Sequence, residues 1–329
     1  MKEKTTIAII GAGMWGTALG SLLMKNGHPL FVWSRRSPEK LEDIVGRGDA
    51  IVSAVSISGV RPTIAALKTL DIPPDRIIVT TTKGLDPISN GTPFQLWQAA
   101  FPHNPLVVLS GPNLSKEIAR GLPAATVVAS FERSSAEIVQ LLFASDSFRV
   151  YVNNDPLGTE LGGTLKNVMA IASGVCDGLA LGTNAKSALL TRALPEMIRV
   201  GTTLGGKRDT FFGLSGLGDL LATCNSVLSR NYQVGYQLSQ GKSLENILRD
   251  LEGTAEGVNT TEVLVSIAKL HSLYIPITHQ VHRLLTGEIS PETAVKALMQ
   301  RDLKAESIDS EREALLSVEI NEHSPPVKS

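Results

Sequence analysis

The stretch Gly11-Ala12-Gly13-Met14-Trp15-Gly16 has the residue types and the spacing of a phosphate-binding turn. It directly follows the apolar run Thr6–Ile10 and opens a helical pattern. Glycines at such a turn allow a tight bend, close approach of a pyrophosphate and packing of the helix on the strand. The helix N-terminus also offers free N–H groups to the phosphates. We therefore predict that Gly11, Gly13, Met14, Trp15 and Gly16 bind a dinucleotide; the alternative is a glycine-rich turn that serves packing alone.

The residues after the second apolar run bear on which dinucleotide is bound. An NAD-specific protein usually places Asp or Glu about twenty residues beyond the glycines, where it binds the ribose hydroxyl. This chain has Ser34-Arg35-Arg36 there, and the nearest acid is Glu39. Two guanidinium groups suit a 2′-phosphate because they form bidentate, charge-assisted hydrogen bonds with it. We predict NADP(H) as the preferred cofactor and NAD(H) as the second candidate, unless Arg35 and Arg36 are ordinary solvated surface residues.

Polar residues also follow two later apolar runs. One run ends in Thr80-Thr81-Thr82-Lys83-Gly84, and another ends in Ser110-Gly111-Pro112-Asn113. Ligands of open parallel sheets bind beyond the carboxyl ends of the strands. We therefore expect Lys83, Gly111 and Asn113 to lie at the ligand crevice, although a lysine in a loop is by default solvated.

The second half of the chain contains a lysine in an unusual setting. Lys166 interrupts the apolar, small-residue pattern Leu161-Gly162-Gly163-Thr164-Leu165. Burial of a lysine lowers its pKa toward the range in which it can transfer protons. Farther on, Gly213–Asp219 is predicted to be a flexible loop that presents a carboxylate, and Ser229-Arg230-Asn231 suits a phosphate dianion. Each feature also has an ordinary explanation: a paired core lysine, a helix-capping Asp and a surface Arg.

The elements that must position these residues follow two different patterns. In the first half, short apolar runs alternate with helix-sized stretches, which indicates parallel strands with helices on both sheet faces. The runs are Thr6–Ile10, Pro29–Trp33, Ala50–Val55, Arg76–Thr80, Leu106–Leu109, Ala124–Ala129 and Phe148–Val152. The intervening helices include Met14–Lys25, Thr63–Leu70 and Ser134–Phe143.

After Asp155 nearly all patterns are helical. Candidate helices are Leu157–Leu181, Ala185–Thr203, Leu244–Asp250 and Thr260–Leu270, and a last one opens with Ser290 as N-cap and Pro291 in its first turn. We predict an α/β fold with an N-terminal doubly wound (Rossmann) parallel-sheet domain at 1–153 and an all-helical C-terminal domain at 154–306. A charged tail follows at 307–329.

Composition excludes several classes of protein and site. A net charge of −1 gives no electrostatic reason to expect nucleic acid or an anionic membrane as partner. Two cysteines and the pair His279 and His282 do not form a disulfide framework or a metal site. No uncharged apolar run approaches the length of a membrane span, and the first strand begins too close to Met1 for a signal peptide. We expect a soluble, cytoplasmic protein.

Taken together, these motifs resemble the NAD(P)-dependent glycerol-3-phosphate dehydrogenase family. The resemblance rests on the glycine turn and on Thr82-Lys83-Gly84, Ser110–Asn113, Gly162–Asn167, Gly213–Leu220, Ser229–Asn231 and Glu256-Gly257. It extends from residue 5 to about 305. It implies an oxidoreductase that interconverts sn-glycerol 3-phosphate and dihydroxyacetone phosphate with NAD(P)(H) and supplies glycerol 3-phosphate for phospholipid synthesis.

The resemblance also implies roles for individual residues. Lys166 would transfer the proton, and Lys83 and Asp219 would position the reacting oxygens. The implied substrate contacts are Lys83, Gly111, Asn113, Lys166, Asn167, Asp219, Thr223, Ser229, Arg230 and Asn231. The implied cofactor contacts beyond the glycine turn are Lys83, Ser115, Arg230 and Glu256, with Arg35 and Arg36 at the 2′-phosphate. The implied binding partner is a phosphorylated small-molecule substrate. Whether the chain forms a homodimer is left open.

One departure from the family concerns the segment Ser37–Asp49, which is shorter than in most members. It still suffices for a parallel crossover, but it puts the adenosine side of the cofactor site, and hence the NADP preference, in question. Two other functions stay open: a related β-hydroxyacid or 6-phosphogluconate-type dehydrogenase, and a non-catalytic NADP(H)-binding sensor.

Overall fold

A seven-stranded sheet forms the first half of the molecule in the computed structural model, which describes residues 4–301. Its strands are β1 (Ile7–Ile10), β2 (Leu30–Trp33), β3 (Ala50–Ser53), β4 (Ile77–Thr80), β5 (Leu106–Ser110), β6 (Ala124–Ala129) and β7 (Phe148–Asn153). Their order across the sheet is β2-β1-β3-β4-β5-β6-β7. The glycine turn after β1 therefore lies at the centre of a strand-order reversal, where ligands of such sheets bind.

Helices connect the strands and then form the second half. In the sheet region they are α1 (Met14–Lys25), α2 (Leu41–Arg47), α3 (Ile57–Leu67), α4 (Pro93–Ala100), α5 (Ser115–Ala119) and α6 (Arg133–Phe143). The second half contains α7 (Pro156–Gly178), α8 (Gly182–Thr203), α9 (Asp219–Cys224), α10 (Arg230–Ser239), α11 (Leu244–Asp250), α12 (Glu256–His271), α13 (Pro276–Leu285) and α14 (Pro291–Met299). The predicted tail at 307–329 lies outside the described residues.

The predicted α/β fold with a doubly wound sheet is confirmed, but one strand pair of the predicted parallel sheet is antiparallel. Strand β6 runs antiparallel to β5, whereas β7 is again parallel to β6. The link from β5 to β6 contains only the short helix α5, which packs against α1 rather than crossing a face of the sheet. Without a crossover helix, the chain returns in the opposite direction.

Both faces of the sheet are covered, as expected of a doubly wound fold. Alternate strand residues such as Ile9 and Val52 pack with α1 and α6, and their neighbours such as Ile51 and Ile78 pack with α3 and α4. Because side chains alternate along a strand, a strand buried on both faces is apolar throughout. This explains why the strands could be found in the sequence.

Three local expectations differ from the structure. The helix expected over Thr63–Leu70 begins at Ile57 and continues through Pro62, and the helix expected from Thr260 begins at Glu256. The segment before Asp219 is not a flexible loop: Leu214–Gly218 forms a π-helical turn that leads into α9. Its glycines allow this close packing, since a Cβ on Gly216 would lie 2.1 Å from the Phe211 carbonyl oxygen.

The second half packs around α7, the longest described helix. Its side chains form the centre of a hydrophobic core with α8, α9, α12 and α13. The N-cap of α14 is Ser290, whose side chain accepts a hydrogen bond from the Thr293 N–H, with Pro291 next to it as predicted. None of the helices within residues 4–301 combines the length and the apolarity that crossing a membrane requires.

Candidate active site between the sheet and the helical half

A cavity of about 540 Å³ lies between the carboxyl ends of the strands and the helical half. Its volume is in the range typical of small-molecule sites. Most of the predicted site residues line it: Gly13, Met14, Trp15, Lys83, Asn113, Ser115, Lys166, Asn167, Thr223, Ser229, Arg230, Asn231 and Glu256. The topology therefore brings together residues that are separated by more than 200 positions in the chain.

The three glycines of the turn occupy three different environments. A Cβ on Gly11 would lie 2.5 Å from the Ala54 carbonyl oxygen, and a Cβ on Gly16 would lie 1.8 Å from the Gly11 carbonyl oxygen. Gly13, in contrast, has nothing within 4 Å of its Cβ position. Gly13 is also the N-cap of α1 and supplies no side-chain cap. Open space in front of uncapped helix N–H groups fits the pyrophosphate of a dinucleotide.

The most buried part of the site is a cluster of two lysines around one carboxylate. Asp219 Oδ1 accepts from Lys166 Nζ at 2.9 Å, and Asp219 Oδ2 accepts from Lys83 Nζ at 2.5 Å. Lys166 Nζ also donates to Thr223 Oγ1 at 2.6 Å, and Thr223 donates to Asp219 at 2.9 Å. Lys83 also donates to the Gly111 carbonyl oxygen at 3.1 Å. Asp219 thus fixes both ammonium groups at one wall of the cavity.

Burial shifts the protonation of this cluster. Burial lowers the pKa of Lys166 to about 8; the Asp219 carboxylate opposes this effect, and the neighbouring charge of Lys83 adds to it. Burial alone would raise the pKa of Asp219, but the attraction of Lys166 and Lys83 and the hydrogen bonds from both hold it below its usual value. Asp219 is therefore ionised at neutral pH, and Lys166 titrates close to neutrality.

Two adjacent glycines of α7 make room for this cluster. A Cβ on Gly163 would lie 2.3 Å from Ser110 Oγ and 3.3 Å from Lys83 Cε, and a Cβ on Gly162 would lie 2.6 Å from the Ser215 carbonyl oxygen. Any larger residue would therefore push the Lys83 loop and the π-helical turn away from α7. These glycines belong to the small-residue pattern around Lys166, and the segments that approach them are visible only in the structure.

Another part of the cavity lining, at the start of α10, is suited to an anion. Arg230, in the first turn of α10, makes no hydrogen bond or ion pair within residues 4–301. Burial lowers the pKa of Arg230, and the nearby Glu256 partly offsets this. Asn231 Oδ1 accepts from the Gly257 N–H at 2.9 Å. Because an N–H group can only donate, this bond turns the side-chain NH₂ of Asn231 away from α12, where it can donate to another acceptor.

Other predicted contacts have roles that limit what they can bind. Asn113 donates to the Ala125 carbonyl oxygen and accepts from Thr126 Oγ1, so its amide anchors the turn after β5 to β6. Ser229 Oγ accepts from the Tyr232 N–H as the N-cap of α10. Glu256 accepts from the Ile57 N–H and links α12 to the first turn of α3.

Arg35 and Arg36 do not line this cavity. They lie exposed in the turn after β2, and their side chains make no hydrogen bond or ion pair within the described part of the chain. The turn itself is held by Ser37 Oγ, which accepts from the Ser34 N–H at 2.9 Å. Gly11 and Gly16 belong to the glycine turn but pack against backbone and do not line the cavity, and the carbonyl oxygen of Gly111 accepts a hydrogen bond from Lys83.

Several residues of the cavity wall were not predicted from the sequence: Ala54, Val55, Ser56, Lys116, Leu228, Glu252, Gly253 and Thr254. Ala54 and Val55 were assigned to strand β3, which ends at Ser53. The rule that ligands lie beyond strand ends could have identified them had the strand end been placed correctly. No group of three potential metal ligands occurs within residues 4–301.

Comparison with known proteins matches both halves of the chain to one family. The model of the NAD-dependent glycerol-3-phosphate dehydrogenase N-terminus matches residues 6–47 and 38–136, and that of the C-terminus matches residues 155–296. The glycerol-3-phosphate dehydrogenase [NAD(P)+] of Synechocystis sp. is 63% identical over 303 residues, which are 92% of this chain and 96% of the relative. The enzyme of the same name from Acaryochloris marina is 61% identical over 305 residues, 93% of this chain and 98% of the relative.

A solved structure agrees with these relatives. The crystal structure of glycerol-3-phosphate dehydrogenase (gpsA) from Coxiella burnetii superimposes with a TM-score of 0.86 at 33% identity. The superposition covers 91% of this chain and 99% of that chain, so it includes both the sheet and the helical half. The chain therefore belongs to the NAD-dependent glycerol-3-phosphate dehydrogenase family.

Proposed function

We propose that the protein is an NAD(P)-dependent glycerol-3-phosphate dehydrogenase that interconverts sn-glycerol 3-phosphate and dihydroxyacetone phosphate. The observation that carries the proposal is one cavity lined by both a buried lysine–aspartate cluster and an arginine whose side chain has no hydrogen bond or ion pair within residues 4–301. The first can handle a proton, and the second can hold a phosphate. The substrate carries both the C2 hydroxyl, whose proton is transferred, and a phosphate on one three-carbon skeleton.

The cofactor site fits this reaction. The open space at Gly13 and the uncapped N-terminus of α1 can accept a pyrophosphate, and Met14 and Trp15 line the adjoining cavity wall. Ser115, Arg230 and Glu256 lie along the same cavity. When bound, the nicotinamide supplies the hydride chemistry. The protein's part is to orient the substrate and to move one proton.

Lys166 is the proton-transfer residue of this proposal. Two of its three N–H directions are taken by Asp219 and Thr223, which leaves one for a substrate oxygen. With a pKa of about 8, both the neutral and the charged amine are accessible near neutral pH. Neutral Lys166 takes the proton of the C2 hydroxyl in oxidation, and protonated Lys166 returns it to the carbonyl oxygen in reduction.

Asp219 and Lys83 support this transfer electrostatically. Asp219 holds both ammonium groups, and Lys83 adds a second positive charge beside the oxygen that becomes negative during reduction. Thr223 fixes the position of Lys166 by accepting one of its N–H groups. Asn167 lines the cavity next to Lys166, and its side chain makes no hydrogen bond to another residue of the described part.

The phosphate end of the substrate is assigned to the first turn of α10. Arg230 supplies the guanidinium, Asn231 supplies its side-chain NH₂, and Ser229 caps the helix. Gly111 and Asn113 shape the crevice through the turn after β5, chiefly by backbone, since the Asn113 amide is already bonded to β6.

NADP(H) is the proposed preferred cofactor. Arg35 and Arg36 are exposed, adjacent and unpaired in the described residues, on a turn that Ser34 and Ser37 hold in place. Two free guanidinium groups at the end of β2 suit a 2′-phosphate better than a ribose hydroxyl. The proposal also includes separate domains at 1–153 and 154–306, a cytoplasmic location and a homodimer. It further includes supply of glycerol 3-phosphate for phospholipid synthesis. These points rest on the family resemblance.

The test is turnover of dihydroxyacetone phosphate by the purified full chain, followed by the loss of NADPH or NADH absorbance. We expect turnover with both cofactors and a higher kcat/KM with NADPH. Binding of NADPH without turnover would instead favour a nucleotide sensor. Turnover of 3-hydroxyisobutyrate or 6-phosphogluconate, but not of glycerol 3-phosphate, would favour the related dehydrogenases.

A further inference from the structure

The shortened segment after β2 contains an acid in an unexpected situation. NAD-specific proteins of this fold use an acid near the end of β2 to bind the ribose hydroxyls. Glu39 is the nearest acid in this chain, and the structure places it close to the strand end. The indole N–H of Trp33, the last residue of β2, donates to the Glu39 carbonyl oxygen at 3.1 Å. The backbone of Glu39 is therefore held at the strand end, near the place where an NAD-specific acid is expected.

The side chain of Glu39 is held by another residue. Arg47 Nη2, in the last turn of α2, lies 2.7 Å from Glu39 Oε1. Arg47 is itself fixed from two other directions. Its Nε donates to the Asp43 carbonyl oxygen at 2.9 Å, and its guanidinium lies over the Phe31 ring at 4.1 Å from the centroid. A guanidinium already held at these two points has lost much of its conformational freedom, so pairing with Glu39 costs little further entropy.

The charges at the end of β2 are thus divided into two groups. The Glu39 carboxylate is paired with Arg47 on the α2 side, whereas the side chains of Arg35 and Arg36 have no partner within residues 4–301. Without Arg47, the carboxylate of Glu39 could turn toward the two free arginines or toward the ribose, and either arrangement would oppose a 2′-phosphate.

We propose that Arg47 is a specificity-determining residue. It holds the Glu39 carboxylate against the end of α2 and thereby leaves Arg35 and Arg36 free for the 2′-phosphate of NADP(H). The short segment serves this function because it brings α2 back to the strand end within a few residues. The inference rests on the cofactor preference proposed above.

The experiment compares dissociation constants of NADPH and NADH, measured by cofactor fluorescence without substrate, together with the kcat/KM ratio for the two cofactors. In Arg47→Gln we expect the NADPH:NADH preference to fall by about three- to tenfold, in keeping with the modest energies of exposed charge pairs. Arg47→Lys keeps the positive charge and should retain most of the preference. Arg47→Gln combined with Glu39→Gln should restore it, because no carboxylate is left to be released.

Two controls separate this effect from a general loss of charge or of folding. Lys40→Gln removes one positive charge from an exposed pair with Glu42 on the same segment, and we expect it to leave the preference unchanged. Glu39→Gln alone should also leave it unchanged, since the carboxylate is already neutralised, and this variant does not depend on Arg47→Gln being stable.

The outcomes are distinct. A wild-type protein without NADPH preference would refute the proposed cofactor preference itself. A wild-type preference that Arg47→Gln leaves intact, or that the double variant fails to restore, would refute the role of Arg47. A strong increase in the preference for NADPH in Glu39→Gln alone would also refute the role of Arg47.

Discussion

The two ends of the proposed site differ in how they hold their charges. At the substrate end, Lys166 and Asp219 are 6% and 2% exposed, and each bonds to several partners. At the adenosine end, Arg35 and Arg36 are exposed and have no partner in the described part of the chain. The charges of the buried cluster are paired with one another, whereas the two exposed guanidinium groups have no charged partner within residues 4–301.

This difference follows from the dielectric environment. Interactions between charges are strong in a buried cluster and weak at the surface, where water and salt screen them. Burial can therefore shift the pKa of Lys166 toward neutrality, as the proposed proton transfer requires. In the proposal, the exposed arginines discriminate between two cofactors, and each contributes little energy.

Removal of the buried amine should have the largest effect. We expect Lys166→Ala to lower kcat by about 10²- to 10⁴-fold, the usual range for loss of a general acid–base group, with NADPH affinity close to normal. Steady-state kinetics and cofactor titration measure the two quantities. Lys186→Ala, which also removes a largely buried lysine paired with an aspartate, should retain kcat because Lys186 lies in another cavity. Near-normal turnover of Lys166→Ala would rule out the proton-transfer role.

Arg230→Ala should weaken substrate binding strongly. Loss of charge-assisted hydrogen bonds to a phosphate predicts an increase of about 10- to 100-fold in the KM for dihydroxyacetone phosphate. Gly253→Ala should act in the same direction, because its Cβ would lie 2.2 Å from Arg230 Nη1. Arg133→Ala, which removes an exposed arginine on α6, is the control. An unchanged KM in Arg230→Ala would mean that the phosphate is bound elsewhere.

The pH dependence of the two directions should be opposite. Oxidation needs neutral Lys166, so its rate should rise as the pH increases toward about 8, by about tenfold per unit below that value. Reduction needs the protonated amine, so its rate should fall above the same pH. Because Asp219 raises the pKa of Lys166, Asp219→Asn should move the midpoint to lower pH in whatever activity remains. If the midpoint of the pH profile does not move, Asp219 does not raise the pKa of Lys166 as proposed.

Single substitutions at the exposed end should have the smallest effects. We expect Arg36→Ala to lower kcat/KM for NADPH by about three- to tenfold, as for other solvent-exposed charge pairs, and to leave NADH almost unaffected. The loss should shrink as ionic strength increases, because these charges are screened. An equal effect on NADH would indicate that Arg36 does not contact the 2′-phosphate.

The parts of the fold that could be predicted are those with a local signature. Strand β1, the glycine turn and α1 were located correctly because apolar periodicity and glycine spacing are local properties. The N-cap of α14 was predicted for the same reason. The antiparallel pairing of β6 was not predicted, since the direction of a strand depends on the path of its connection. Nor was the π-helical turn before Asp219, since it depends on packing against Phe211 and α7.

The sequence by itself determined which residues could do chemistry: a phosphate-binding turn, an arginine pair after β2, a lysine in an apolar helix and an arginine–asparagine pair. Only the tertiary structure decided how they act together. Lys83 and Asp219 are 136 positions apart in the chain, and their pairing depends on α7 lying against β5 at Gly163. Likewise, the position at which α2 ends decides that the Glu39 carboxylate pairs with Arg47 and is not available to a ribose. Residue types fix the available charges, but burial and distance, which set their pKa values and partners, arise only from packing.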